Sequence, residues 1–150
     1  GNLQPDTQGL PSMLVSHQSY ADFTLSLRFK PDAVVNSGIF IRCSNLPEVS
    51  PFSCYEVNIW DNHPKQEYRT GAVVAVYFPP DAQVSTVGAW NTYEITAQGS
   101  HIVAKVNGIT TADFYDTQFT AGHIALQWEG EGEVAFKDIH LTLLPKQPKD

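Results

Sequence analysis

Arg42, Glu56, Asn58 and Asp61 lie within NSGIFIRCSNLPEVSPFSCYEVNIWDN, residues 36–62, among apolar residues in two runs that alternate like strands. A carboxyl, a guanidinium and an amide on neighbouring strands can take a proton, stabilise a developing negative charge and hold hydroxyl groups. Strand periodicity decides whether they meet. If Ile39 and Ile41 pair inward with Val57 and Ile59, then Arg42, Glu56 and Asn58 share the outward face, with Phe40 and Trp60 beside them. On an ordinary solvated sheet, Arg42 and Glu56 would form a cross-strand ion pair contributing about 0.2–1 kcal/mol. In AGHIALQW, residues 121–128, an inward Ile124 and Leu126 leave His123, Ala125 and Gln127 facing away. Gln127 joins the group if its strand belongs to the same sheet.

Cys43 and Cys54, the chain's two cysteines, close the two runs where the intervening loop begins. A disulfide or two buried free thiols both fit, and the spacing matches no zinc motif. The placement favours the disulfide, and a disulfide favours an oxidising compartment, hence an extracytoplasmic location. Directly opposed in a regular ladder, the cysteines would put Ile41 on the side of Glu56 and break the apolar pattern. The apolar pattern involves more residues, so the cysteines are placed beyond the regular ladder or at a bulge.

After the second run come Asp61, Asn62 and His63, where an aspartate with a nearby histidine reads either as a metal or second catalytic pair or as an Asx turn leading into Pro64. No acidic loop has calcium spacing, so no metal and no cofactor are predicted. His101 and His140 fall in alternating strands and read as solvated, while His17 is uninformative. Trp90 opens a strand and Trp128 ends one, which suits packing better than a ligand-stacking platform. In WEGEGE, Glu129 and Glu131 would line a rim or simply sit in a solvated hairpin loop.

The elements that must position these groups are strands. DFTLSLRFK puts Phe23, Leu25, Leu27 and Phe29 on one face and Thr24, Ser26 and Arg28 on the other. YEVNIW, WNTYEITA, HIVAKV, ITTADF, HIALQW and VAFKDIHLTLL continue the pattern, and TGAVVAVYF is a nearly continuous apolar run read as a further strand. Asn107-Gly108 is a strong hairpin signal. Nine or ten short strands without crossover helices predict an all-β antiparallel sandwich.

At 150 residues the chain is expected to make one domain, residues 1–150, with a frayed tail at 145–150. A net charge of −7 with only 17% charged residues, and no basic run, argues against nucleic acid or an anionic membrane surface as partner. No apolar stretch approaches a membrane span, and GNLQPDTQG lacks the regions of a signal peptide.

In order along the chain, YADFTLSLRF, NSGIFIR, YEVNIWDN, TGAVVAVY, GAWNTYEITAQGSHIVAKVNG, AGHIALQ and VAFKDIHL resemble the 3-keto-disaccharide hydrolase domains, long catalogued as a domain of unknown function within the concanavalin A-like lectin/glucanase superfold. The resemblance covers about Tyr20 to Leu143. A stretch that usually precedes the position of Gly9 in that family is short or missing here, so the first strand is expected to be incomplete.

The resemblance implies a jelly-roll sandwich of two curved antiparallel sheets with an oligosaccharide or glycoside in a concave-face groove. It further implies cleavage of glycosides whose sugar is oxidised to a ketone at C3. Such a ketone acidifies the proton on C2, so one base and a donor to the enolate oxygen replace the paired carboxylates of ordinary glycosidases. On that chemistry Glu56 is assigned as general base or acid and Arg42 as electrophilic donor. Asn58, Gln127 and Asp61 are expected to bind substrate, with Trp60 or Tyr77 stacking on the pyranose. Two rivals share the fold: a non-catalytic carbohydrate-binding module, and a protein-interaction domain that uses TGAVVAVYF as an exposed edge.

Overall fold

The structure, a computed structural model, describes residues 12–44, 48–78 and 82–145. Among these, nine strands form two antiparallel sheets, so the expected all-β jelly-roll sandwich is what the chain adopts. The four-stranded sheet has the order β1 (Ser12–Val15), β8 (His123–Glu129), β3 (Asn36–Cys43), β4 (Tyr55–Ile59). The five-stranded sheet has the order β7 (Ile109–Tyr115), β6 (His101–Val106), β5 (Asn91–Gln98), β2 (Phe23–Pro31), β9 (Val134–Leu143). The N-terminal stretch before residue 12 and the tail from residue 146 lie outside the described residues.

Alternation builds the core. Phe23, Leu25, Leu27 and Phe29 of β2 meet Ile39 and Ile41 of β3 and Tyr55, Val57 and Ile59 of β4 in one buried cluster between the sheets. Burying such side chains contributes about 1.5–3 kcal/mol each before the entropy of ordering is subtracted. The β6–β7 hairpin turns on Asn107 (φ 53°) and Gly108 (φ 81°), the left-handed pair a two-residue hairpin needs.

The two sheets differ on their outer faces, and this difference locates the site. β2 alternates between buried and accessible residues, and its outer Thr24 pairs with Thr96 at 3.2 Å, as on a solvated sheet. β4 is buried at every position and β3 at all but its first residue. Something therefore covers the outer face of the four-stranded sheet, and the covering pieces are loops.

TGAVVAVYF forms part of that cover, and the expectation of a strand there is corrected. Gly71 (φ 100°) and Ala75 (φ 65°) interrupt extension, and Val76 and Tyr77 fold back so that both backbone N–H groups donate to the Val73 carbonyl. The segment still runs beside β4, where Asn58 N–H donates to Ala72 and Val74 N–H to Glu56. It covers the β4 edge rather than presenting one of its own, so the expectation of an exposed edge here is corrected.

The cysteines form a disulfide, with Cα atoms 4.4 Å apart, and a bulge accommodates it. Ile39 pairs with Val57 and Ile41 with Tyr55, as the apolar pattern requires. Against β8, Phe40 faces Ala125 but Cys43 faces His123, so β3 carries one extra residue between them. Arg42 sits at that bulge with φ 54°. Gly122 lies beneath it, and a Cβ there would collide with the backbone of Arg42 and Cys43.

Candidate functional site

The bulge sends Arg42 inward. Its guanidinium is fully buried and donates to the carbonyls of Ala21 (2.6 and 3.0 Å), Gly99 (2.7 Å) and Phe119 (3.2 Å). It also pairs with Asp22 at 3.2 Å. Burial pulls its pKa down and the Asp22 carboxylate pushes it back up. The expectation that Arg42 shares a face with Glu56 is thus overturned, both as an electrophilic donor and as a cross-strand ion pair. One inserted residue reverses the side on which every later side chain of a strand emerges.

Glu56, Asn58 and Gln127 do come together. Register places Gly38 between Asn58 of β4 and Gln127 of β8, with Phe40 between Glu56 and Ala125 in the next row and Asn36 beside Glu129 in the row before. Asn36, Phe40, Glu56, Asn58, Gln127 and Glu129 floor a groove of about 730 Å³. One wall is Val49 to Phe52, carried by the loop that the disulfide closes. The opposite wall is the loop after β4, with Trp60, His63, Lys65 and Tyr68.

The floor is apolar at one end and polar at the other. Phe40 packs with Ala125 and the disulfide, and Glu56 stands beside it, only 9% exposed. Burial, with a smaller contribution from Glu129, pushes the Glu56 carboxyl up to about 7. Gly38 makes room for it: a Cβ there would lie 3.2 Å from Glu56 Oε2 and 3.4 Å from Glu56 Cγ. Gly38→Ala is accordingly expected to leave the fold intact but to shift the carboxyl and shallow the floor. Glycoside affinity, measured by calorimetry, should fall by roughly tenfold, about 1.4 kcal/mol, because the displaced carboxyl intrudes on the ligand's place.

Asn58 is 3% exposed, and its Nδ2 donates to the Tyr68 carbonyl at 2.5 Å. Its Oδ1 is buried without a partner among the described residues, an acceptor suited to a hydroxyl group. Trp60 is half-buried in the wall, its ring 4.3 Å from that of His63. His63 in turn lies 5.5 Å from Tyr68.

Asp61 and Tyr77 are placed elsewhere, and their assignment to substrate is corrected. Asp61 accepts from Thr70 Oγ1 (2.5 Å), Thr86 N–H (2.6 Å) and Thr86 Oγ1 (2.8 Å), which ties the groove wall to the segment before β5. A carboxylate so engaged is a clasp. Tyr77 stacks on Phe114 with centroids 5.3 Å apart and packs against the inter-sheet core. Trp90 lies under the Lys137 ammonium at 3.9 Å, and Trp128 packs on the core, so neither is a sugar platform. No group of three His, Cys, Asp or Glu side chains suited to a metal occurs among the described residues.

His63 and Tyr68 are lining residues that pattern reading underrates, as is Gly38 behind the Glu56 side chain. His63 has a signal in WDNHP but is equally an ordinary turn residue there. Tyr68 sits in a short 3-10 turn (Gln66–Tyr68) that no periodicity announces.

A jelly-roll sandwich with a loop-walled polar groove over one sheet is a fold that comparison also finds in a carbohydrate-binding module and a beta-glucanase. The 3-keto-alpha-glucoside-1,2-lyase-like domain matches residues 2–142, and the chain belongs to that family. No curated protein matches it. Among solved structures, a candidate glycosyl hydrolase from Parabacteroides distasonis superposes with a TM-score of 0.80 at 22% identity, covering 95% of this chain and 90% of that one. The carbohydrate-binding module CBM66 from Bacillus subtilis gives 0.67 at 15% identity, covering 93% and 85%. Bacillus licheniformis beta-glucanase gives 0.62 at 15% identity, covering 96% and 78%. At these identities the likeness is one of fold.

Proposed function

We propose that the groove binds a glycoside whose sugar is oxidised at C3 and cleaves it by elimination, with Glu56 as the base. The observation that carries this reading is the buried Glu56 carboxyl, its pKa pushed up to about 7, in a groove of sugar size lined by the Asn58 and Gln127 amides. The family match supports the substrate class.

The steps balance on one residue. The Glu56 carboxylate takes the proton from C2, and the electron pair of that C–H bond becomes an enolate over C2, C3 and the C3 oxygen. The enolate reforms the C3 carbonyl as C1 and C2 become doubly bonded, and the bond from C1 to the glycosidic oxygen breaks. The departing oxygen receives the proton that Glu56 carries. Addition of water to the unsaturated sugar then completes a net hydrolysis. Asn58 Oδ1 and the Gln127 amide hold ring hydroxyls, and Trp60 offers a face for stacking. The disulfide fits an oxidising compartment, which supports an extracytoplasmic place of action.

A binding-only role is the second reading, favoured by the aromatic wall of Trp60, His63 and Tyr68. Incubation with a panel of 3-keto and ordinary disaccharides separates the possibilities. The proposal expects free alcohol from 3-keto compounds alone. Cleavage of unoxidised disaccharides would point instead to acetal hydrolysis by Glu56 and Glu129, and binding without cleavage to a module. Because the base acts as the carboxylate, kcat/KM for the 3-keto substrate should rise with pH through about 7 and then level. A rate independent of pH between 5 and 9 would contradict the assignment.

A further inference from the structure

Elimination needs a donor at the C3 oxygen, and the inward turn of Arg42 leaves that role without its expected occupant. We propose that His63 is the catalytic donor, its Nε2–H stabilising the enolate oxygen while Glu56 works from the floor. This rests on the elimination reading above and adds the second catalytic group to it.

His63 Nδ1 accepts a hydrogen bond from the Lys65 backbone N–H at 2.9 Å, so that nitrogen carries no proton. The neutral ring therefore bears its proton on Nε2. No hydrogen bond among the described residues uses Nε2, and the ring lines the groove. Burial, with the Lys65 ammonium adding to it and the Glu67 carboxylate opposing it, lowers the pKa of His63 and so favours the neutral ring. A neutral imidazole donates a hydrogen bond without surrendering its proton, as an enolate donor should.

The ring is also held in place. Trp60 and Tyr68 both pack against it, at 4.3 and 5.5 Å between centroids. Gln66 Nε2 donates to the carbonyls of His63 (2.9 Å) and Asp61 (3.1 Å), and the Asp61 clasp anchors the start of the loop. A preorganised donor costs no rearrangement as charge develops, and removing one typically lowers kcat by about 10²–10³-fold.

Two substitutions separate donation from packing. His63→Phe keeps an aromatic ring between Trp60 and Tyr68 but has no donor, whereas His63→Gln keeps an N–H donor and loses the ring. Each variant, checked for a wild-type melting transition, would be assayed with a 3-keto disaccharide for cleavage and for exchange of the C2 proton with deuterated solvent. The expected result is a loss of about 10²–10³-fold in both rates for the Phe variant, with KM within a few-fold, and a partial recovery of at least tenfold in the Gln variant. A Phe variant at wild-type rate, or a Gln variant slower than Phe, would overturn the donor role while leaving the elimination reading standing. Absence of exchange and cleavage in the wild type would overturn the elimination reading and this proposal together.

Discussion

Glu56→Gln is expected to slow cleavage of a 3-keto disaccharide by about 10²–10⁴-fold, the usual contribution of a positioned base, and also to make the protein more stable above pH 7. The two effects share one cause. Burial raises the carboxyl from its ordinary 4.5 to about 7, so between those values the native state holds a proton that the unfolded chain releases. The stability associated with the protonated form is complete below 4.5 and is lost as pH rises through 7. An isosteric neutral amide is spared that loss. At pH 8 the variant should exceed wild type by about 3.5 kcal/mol, from roughly 1.4 kcal/mol per pKa unit, and at pH 4 the difference should vanish. Thermal melts of both proteins at the two pH values test this. Equal melting midpoints at pH 8 would mean that the carboxyl is not desolvated, which would remove the physical basis for its choice as base.

Arg42→Ala is expected to act on stability rather than chemistry. Truncation leaves the carbonyls of Ala21, Gly99 and Phe119 without their donor and the Asp22 carboxylate without its charge partner. Removing one member of such a buried arrangement costs about 3–5 kcal/mol. For a chain of this size each kcal/mol shifts the melting midpoint by about 2–4 °C, so a fall of roughly 10 °C is expected. Well below the new midpoint, turnover should stay within a few-fold of wild type. A folded Arg42→Ala protein with turnover reduced a hundredfold would restore Arg42 to the site and contradict its burial.

The contrast between these residues shows what pattern reading can reach. Period 2 puts Tyr55, Val57 and Ile59 inward and Glu56 and Asn58 outward, and the structure agrees because β4 runs without a bulge. Gln127 follows by the same rule, its strand being the neighbour of β3. Arg42 fails the rule by one residue. The cysteine spacing puts the pair either beyond the regular ladder or at a bulge and names no residue for it, and the bulge takes the position where Arg42 sits. Asp61 and Tyr77 were misassigned for a different reason. A loop carboxylate and an aromatic in an apolar run look alike in sequence whether they face ligand, threonines or core, and only the meeting of distant segments decides. His63 was visible as a histidine in a loop, but its tautomer depends on the backbone N–H of Lys65, which no spacing reveals.

The central claim, that the Glu56 groove removes the C2 proton of a 3-keto sugar, is tested most directly by proton NMR of a 3-keto disaccharide with the wild-type protein in deuterated buffer at pH 8. The account predicts free alcohol together with an unsaturated 3-keto sugar that has no C2 proton, or its hydrate carrying deuterium at C2. The Glu56→Gln protein should leave the C2 proton in place. Release of free alcohol with the C2 proton fully retained would contradict elimination, and no change in the spectrum at all would contradict a lytic role for the groove.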